Sequence, residues 1–367
     1  MKKKSKKKSV FFKEINSIDK KYKKAEDISL ENNKTLNTAI DFHRKGDIEE
    51  AKKYYEELRK VDKNNPICNS NLAIIYKQKN KVLEAIELYK ENISVNKLFI
   101  NSYINLSSLL LEIREYNHAL EICKKGLEID SNSENLLNNY SLNEYLLGNY
   151  LRAKETSLKA YNLYPNNINI KSTLINSEYK LNNEKYVNKF ISDLFKGEII
   201  KKEINFFIAK CRLMNNLSLS IKISKKYLEI YPEDQKIQGD MMGFLRESSN
   251  INEALEFGKK YDNDKQSAEI FYINYGALYF DLGNLIEASN MLIKAIKINP
   301  NSDIGHFNLG AIYKEQGYFE AAKKETKLAL AINPKISNGY YNLAAILQDA
   351  GENDEALRIA LEIRDKY

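Results

Sequence analysis

This 367-residue chain contains only five prolines, fourteen glycines and three cysteines, and it has no tryptophan. So little proline and glycine argues against a loop-rich fold, because these residues dominate turns. Cys68, Cys123 and Cys211 are odd in number and lack CxxC spacing. They predict no disulfide framework and favour a reducing compartment, the cytoplasm. A membrane-spanning helix needs an apolar run of about 18 residues or more, and none is found in the sequence.

Catalytic and cofactor motifs are also missing. His43, His118 and His306 lie far apart in the sequence, and there is no phosphate-binding glycine loop, HExxH or GxSxG motif. Acidic pairs such as Glu49–Glu50 are typical of the solvated face of a helix, whereas paired catalytic carboxylates need a shared cleft. The sequence therefore predicts a non-enzymatic protein with no catalytic residues, no metal site and no cofactor.

Positive charge is concentrated at the N-terminus. Residues 1–24 hold eleven lysines against Glu14 and Asp19, whereas the whole chain has a net charge of +7. The remainder is thus close to neutral, which argues against a nucleic-acid-sized basic surface. We expect a disordered basic tail over residues 1–9 and an amphipathic helix with a linker over 10–31. This segment could cover the first repeat, or dock on an anionic membrane or a nucleic acid.

What the chain does contain is a period of roughly 34 residues, clearest in the blocks 269–302 and 303–336. The aligned pairs are Tyr272 and His306, Gly276 and Gly310, Tyr279 and Tyr313, Gly283 and Gly317, Ala288 and Ala322, Ala295 and Ala329, and Pro300 and Pro334. This order of residue types at this period resembles the tetratricopeptide repeat. The resemblance implies a right-handed superhelical solenoid of helix-turn-helix units, with the first helix of each unit on the inner surface.

The same period divides residues 32–367 into ten blocks, which begin at 32, 66, 100, 134, 168, 201, 235, 269, 303 and 337. Gly or Asn occupies eight of the ten positions between the two helices of a block, where a left-handed residue can end a helix. Ala occupies eight of the ten positions five residues later, which favours close helix packing. The predicted fold class is therefore all-α, a solenoid of about ten stacked helix pairs.

The blocks spanning 168–268 fit the pattern least well. They carry Ile175, Ile208 and Met242 at the Gly/Ala position of the first helix. We expect altered packing or local flexibility there. The alternative is normal packing with compensating residues elsewhere in the same blocks.

Position six of each block, on the first helix, is Asn in seven of ten blocks, although Asn is a poor helix-interior residue. These candidate peptide-binding residues are Asn37, Asn71, Asn105, Asn139, Asn274, Asn308 and Asn342. A carboxamide can both donate to and accept from a peptide group. The row resembles the asparagine ladder in the repeat region of O-linked N-acetylglucosamine transferases, which implies a concave groove for an extended peptide. Thr173, Phe206 and Asp240 interrupt the row, so one groove and two grooves are equally compatible.

Position twelve mixes basic and aromatic residues and is a candidate specificity stripe for acidic or aromatic ligand side chains. Its members include Lys77, Tyr145, Tyr179, Arg212, Arg246 and Lys314. The alternative is an ordinary, partly exposed flank of the helix. The carboxylate-clamp form of the family needs Lys at position five, which none of the ten blocks has, so that subclass is excluded.

The function predicted from these features is a monomeric scaffold that binds a protein or peptide segment in its groove, with no specific nucleic-acid partner. Two alternatives remain open. One is an adaptor recruited to an anionic surface through residues 1–24. The other is the substrate-binding arm of a separately encoded glycosyltransferase.

Overall fold

The structure, a computed structural model, describes residues 30–196, 201–262 and 268–366. All regular secondary structure within these ranges is α-helical. The all-α repeat solenoid predicted from the sequence is therefore confirmed as the fold. Residues 1–29, which include the predicted basic tail and most of the predicted helix-and-linker segment 10–31, lie outside the described residues.

The chain forms two compact units, Met1–Leu181 and Asn182–Tyr367. The described helices of the first unit are α1 (30–45), α2 (Ile48–Val61), α3 (Pro66–Gln78), α4 (Val82–Val95), α5 (Ile100–Glu112), α6 (Tyr116–Ile129), α7 (Glu134–Leu146), α8 (Tyr150–Leu163) and α9 (Ile168–Lys180). Those of the second unit are α10 (Glu184–Leu194), α11 (Lys201–Leu213), α12 (Leu217–Ile230), α13 (Gln235–Glu247), α14 (Ile251–Tyr261), α15 (Glu269–Asp281), α16 (Leu285–Ile298), α17 (Asp303–Glu315), α18 (Phe319–Ile332), α19 (Ser337–Asp349) and α20 (Asn353–Lys366). The odd-numbered helices are the first helices of the repeats, and from α3 onward each begins at the first residue of a predicted repeat block.

A left-handed residue ends every first helix. The ten predicted turn residues all have positive φ, namely Gly46, Asn80, Arg114, Gly148, Asn182, Asn215, Ser249, Gly283, Gly317 and Gly351. At Asn80 the backbone N–H donates to the carbonyl of Lys77 at 3.0 Å, and the next N–H donates to that of Tyr76 at 2.8 Å. This bonding satisfies carbonyl groups that a helix end would otherwise leave unpaired. The turn prediction is therefore confirmed at all ten positions.

Small residues let the two helices of a repeat approach closely. The eight predicted alanines are buried, namely Ala51, Ala85, Ala119, Ala153, Ala254, Ala288, Ala322 and Ala356. Val187 and Ser220, which replace Ala in two repeats, are buried as well. The Ser220 hydroxyl donates to the carbonyl oxygen of Ile208 at 3.1 Å, so a hydrogen bond joins α11 and α12 at that point.

The divergent blocks are packed with compensating residues. Ile175, Ile208 and Met242 are buried, each with no more than 2% of its surface exposed. On α14, a Cβ at Gly258 would lie 2.4 Å from Cζ of Tyr275, so the missing side chain makes room for a ring of the next repeat. At these positions the structure agrees with the alternative prediction: the large residues are buried, and a small residue elsewhere in the same blocks compensates for them.

Candidate peptide-binding surface on the first helices

In the first unit, two of the position-six amides, those of Asn105 and Asn139, connect successive first helices. Asn105 on α5 donates Nδ2 to the Ser70 hydroxyl on α3 at 3.2 Å. Asn139 on α7 donates Nδ2 to the Ser107 hydroxyl on α5 at 3.0 Å, and also lies 3.4 Å from the carbonyl oxygen of Ile104. Both amide groups thus face the preceding repeat, which leaves their Oδ1 atoms as acceptors.

Asn274 and Asn71 donate in a related way. Asn274 on α15 donates Nδ2 to the carbonyl oxygen of Gly239 on α13 at 3.0 Å. A Cβ at Gly243 would lie 3.0 Å from the same nitrogen, so this glycine gives the amide its space. Asn71 donates to the Tyr55 hydroxyl at 3.0 Å, and burial raises the pKa of Tyr55 to about 12. Four of the seven predicted amides therefore stabilise the stack of repeats.

The other three amides differ. Asn37 is exposed, whereas Asn308 is half-buried and its side chain makes no hydrogen bond to any residue that the structure describes. Nδ2 of Asn342 is buried without an acceptor among the described residues. These side chains do not connect first helices, and Asn308 retains both its donor and its acceptor for a ligand.

The donor role of the position-six amides is a feature that sequence reasoning missed. An Asn side chain that makes no hydrogen bond within the protein presents both a donor and an acceptor. Where Nδ2 is bonded within the stack, as at Asn105, Asn139 and Asn274, the polar atom that remains is the acceptor Oδ1. A signal was present for the first two, since Ser70 and Ser107 lie one repeat before them in the sequence, at separations of 35 and 32 residues.

The three residues that interrupt the asparagine row, Thr173, Phe206 and Asp240, each interact with a residue of their own helix. The Thr173 hydroxyl donates to the carbonyl oxygen of Asn169 at 3.2 Å within α9. Phe206 on α11 lies under the Lys210 ammonium, 5.8 Å from its ring centroid, and burial lowers the pKa of Lys210. Asp240 is paired with a lysine one turn earlier on α13. Each unit therefore contains its own run of position-six asparagines.

Most of the basic residues at position twelve form ion pairs with acidic residues of the next repeat. In each pair the carboxylate belongs to position thirteen of the following block. The pairs are Lys77 with Glu112 at 2.6 Å, Arg212 with Glu247 at 2.6 Å, Arg246 with Asp281 at 2.6 Å, and Lys314 with Asp349 at 3.3 Å. Exposed pairs of this kind contribute about 0–1 kcal/mol each. Their main effect here is to neutralise the stripe, which leaves little attraction for an acidic ligand.

The two tyrosines of the stripe lie at different depths. Tyr145 is only 3% exposed, and its ring centroid lies 5.2 Å from that of Tyr150. Tyr179 is half-buried. Tyr145 is therefore part of the core of the first unit, and Tyr179 is the more accessible of the two rings.

In the second unit, residues of positions six, nine and twelve meet on one surface. They line a pocket of about 260 Å³, formed by Arg246, Ala277, Phe280, Leu292, Asn308, Ala311 and Ile312. Arg246 comes from α13, Ala277 and Phe280 from α15, and Asn308 and Ala311 from α17. We call the positions six, nine and twelve of the first helices the first-helix surface. The two rows predicted from the sequence are brought together at this pocket.

His306, which aligns with Tyr272 of the preceding repeat, has contacts at both ring nitrogens. Nδ1 lies 2.6 Å from a carboxylate oxygen of Glu325, and Nε2 lies 3.0 Å from the carbonyl oxygen of Pro300. The side chain is 7% exposed. Within 30–196, 201–262 and 268–366 no three His, Cys, Asp or Glu residues are grouped so that they could hold a metal ion.

Every repeat consists of two helices joined by a positive-φ turn, and the residue five positions after the turn is buried. These features define an α-helical repeat protein. Models of the tetratricopeptide repeat match residues 42–65, 100–133 and 305–336, and a TPR repeat model matches residues 276–317. The matched stretches lie in both units and cover about a third of the chain. The chain thus carries tetratricopeptide repeats.

Several solved structures are similar to the chain. A tetratricopeptide repeat protein from Parabacteroides merdae is 17% identical over 86% of this chain and 98% of its own, with a TM-score of 0.44. PilF of Pseudomonas aeruginosa is 16% identical over 55% and 92%, with a TM-score of 0.43. MamA is 21% identical over 43% and 87%, with a TM-score of 0.38. No curated protein sequence matches the chain. None of the described helices is long and apolar enough to cross a membrane.

Proposed function

We propose that the chain is a non-enzymatic scaffold that binds an extended peptide or partner segment along the first-helix surface. The observation that carries the proposal is the row of position-six amides. Asn105, Asn139 and Asn274 are fixed through Nδ2 and present Oδ1, and Asn308 presents its whole amide beside a pocket. An acceptor repeated once per repeat suits the N–H groups of an extended backbone.

The spacing of the row sets the expected register and affinity. Packed helices lie roughly 10 Å apart and an extended peptide advances about 3.3 Å per residue, so each amide would meet about every third ligand residue. At about 1 kcal/mol net for each hydrogen bond, a few such contacts scarcely offset the cost of ordering the peptide. We therefore expect dissociation constants in the micromolar range.

The compartment proposed for this function is the cytoplasm. Cys68, Cys123 and Cys211 are buried and are not linked by disulfide bonds, which suits a reducing environment. Partners are proposed to be proteins or peptides bound by a monomer. The basic residues at position twelve that might have attracted nucleic acid are largely paired with carboxylates.

A second candidate function rests on residues 1–24, whose eleven lysines would recruit the chain to an anionic surface. Attraction of this kind falls steeply as salt is raised, whereas hydrogen bonding along the first-helix surface changes little. Binding of the full chain to vesicles containing phosphatidylserine, measured at low and moderate salt, separates the two functions.

The peptide-binding proposal is tested by selection from a random-sequence peptide library displayed on phage. Selected peptides are synthesised, and their affinities are measured by fluorescence anisotropy with the intact chain. Ser108→Arg and Ala311→Arg each place a long cation at position nine of the first-helix surface, on α5 and α17. Ser218→Arg makes a comparable change at an exposed site on the second helix α12.

The proposal expects affinity for at least some peptides to fall tenfold or more in Ser108→Arg or Ala311→Arg, with no change in Ser218→Arg. Far-UV circular dichroism checks that each variant is folded. Recovery of no binding peptide, or equal affinities for all three variants and the intact chain, would contradict peptide binding on this surface.

A further inference from the structure

We propose that the pocket among α13, α15 and α17 holds one large, neutral, apolar side chain of the bound peptide, aromatic or branched aliphatic, while Asn308 bonds the adjoining peptide group. This inference rests on the proposed function and names the ligand chemistry of one place on the first-helix surface.

The pocket exists because position nine changes in size between the two units. Position nine carries Ile40, Ile74, Ser108, Leu142 and Asn176 in the first unit, and Ala209, Gly243, Ala277, Ala311 and Ala345 in the second. Because Ala277 and Ala311 each carry only a methyl group, an opening remains between the successive first helices α15 and α17. Its base is apolar, since Leu292 and Ile312 line it and are almost completely buried.

The size of the opening suits a side chain. Sites for cofactors and small-molecule ligands usually enclose about 300–1,000 Å³, whereas this pocket encloses about 260 Å³. Phe280 forms one wall and is 42% exposed. An aromatic or branched side chain placed against it would cover apolar surface on both partners, which is the main source of binding energy at such contacts.

Charge at the rim favours a neutral occupant. The cation that lines the pocket, Arg246, holds Asp281 through Nε at 2.6 Å and Nη2 at 3.5 Å. A ligand carboxylate would have to displace this partner, and a ligand ammonium would meet a neighbouring guanidinium. An apolar side chain meets neither obstacle, because the pair can stay closed beside it.

Asn308 supplies the polar contact. Unlike the side chains of Asn105, Asn139 and Asn274, its side chain makes no hydrogen bond within the described part of the chain, although it lines the pocket. Its carboxamide can donate to one peptide carbonyl and accept from one peptide N–H. A side chain anchored in the pocket would place its own flanking peptide groups beside this amide.

The test uses blocked amino acids as probes of the full-length chain, which is labelled with ¹³C at alanine methyl groups. The probes are the N-acetyl N-methylamides of phenylalanine, leucine, alanine and glutamate. The proposal expects the phenylalanine and leucine probes to shift the Ala277 and Ala311 methyl resonances with millimolar dissociation constants. Binding of the alanine and glutamate probes should be at least fivefold weaker.

Three variants complete the test. Ala277→Phe fills the pocket and should abolish binding of the phenylalanine probe, whereas Ser218→Phe adds a ring at an exposed site on the second helix α12 and should leave binding unchanged. Asn308→Ala should weaken the phenylalanine probe about fivefold, the equivalent of one net hydrogen bond. Equal binding of the glutamate and phenylalanine probes, persistence of binding in Ala277→Phe, or no methyl shift with any probe would overturn the proposal.

The probe experiment tests the pocket assignment and the peptide selection tests the proposed function, so either proposal can be refuted without the other. Peptides that bind and lose affinity in Ser108→Arg, together with an absence of probe shifts, would refute the pocket assignment alone. Probe binding at Ala277 and Ala311 without any peptide binding would refute the proposed function and leave the pocket as a site for an apolar group.

Discussion

Replacement of Asn139 by Asp is the most informative single change to the first-helix surface. The variant keeps the size of the side chain and replaces the Nδ2 donor with a carboxylate oxygen. In the structure this nitrogen lies 3.0 Å from the Ser107 hydroxyl oxygen and 3.4 Å from the carbonyl oxygen of Ile104. The Ser107 hydroxyl already donates its hydrogen to that same carbonyl at 3.0 Å. The new carboxylate would therefore lie against the Ile104 carbonyl oxygen, and it could gain a donor only if the Ser107 hydroxyl gave up its bond to that carbonyl.

The expected cost combines two effects. Loss of the Asn139 hydrogen bond removes about 1 kcal/mol, and placing a half-buried carboxylate beside the Ile104 carbonyl oxygen adds about 1–3 kcal/mol. We predict that Asn139→Asp lowers the free energy of unfolding by about 2 kcal/mol at pH 7. The loss should shrink as pH falls through about 4, because protonation gives the side chain a donor again. Asn308→Asp breaks no hydrogen bond in the described part of the chain, and should change stability by no more than about 0.5 kcal/mol.

Stability is measured by urea unfolding followed by circular dichroism, with the three proteins compared at pH 7 and pH 4. Long repeat arrays depart from two-state unfolding, so hydrogen exchange of the α5 and α7 amides reports the local free energy as well. Equal stabilities of Asn139→Asp and Asn308→Asp, or a loss that does not depend on pH, would refute a structural role for the Asn139 donor.

Three further predictions concern parts of the repeats away from the first-helix surface. Arg114→Gly should raise the free energy of unfolding by about 1 kcal/mol in urea titrations, because Arg114 adopts φ of +64° and only glycine does so without steric cost. Lys154→Met should lower it by about 2 kcal/mol, because Lys154 lies 3.1 Å from the Glu178 carboxylate, which is 3% exposed; an unchanged midpoint would contradict this. Burial raises the pKa of both the Cys68 and Cys123 thiols to about 12, so at pH 8 roughly one thiol in ten thousand is ionised. Peptide-resolved mass spectrometry should find neither thiol alkylated by iodoacetamide until the chain unfolds.

The features that could be predicted from sequence are those that depend on local structure. A left-handed turn favours Gly or Asn, and a close helix approach favours Ala, so each feature recurs in eight of the ten repeats and marks the repeats directly. Even Arg114 and Ser249, which lack the preferred side chain, adopt positive φ at this position. The period therefore locates helix pairs even where their residue types depart from the pattern, as in the block with Ile208.

Which residues of neighbouring repeats meet could not be predicted from the period alone, because the separations differ from 34 residues; Asn139, for instance, meets Ser107 across 32. Asn105 meets Ser70, and Lys77 meets Glu112, each across 35 residues, which is one position more than the repeat period. This offset reflects the stagger of neighbouring first helices, which a sequence period does not reveal. For the same reason the sequence places Tyr145 in a candidate specificity stripe, although the structure buries its ring.

The most direct test of peptide binding on the first-helix surface is a backbone N-methylation scan of one library-selected peptide. Each N–H is methylated in turn, and the affinity of the full chain is measured by fluorescence anisotropy. If Oδ1 atoms such as those of Asn105 and Asn139 accept one peptide N–H per repeat, affinity should fall about fivefold at roughly every third residue and change little between. A uniform response, or losses that follow only the side chains of the peptide, would contradict backbone recognition by the asparagine rows.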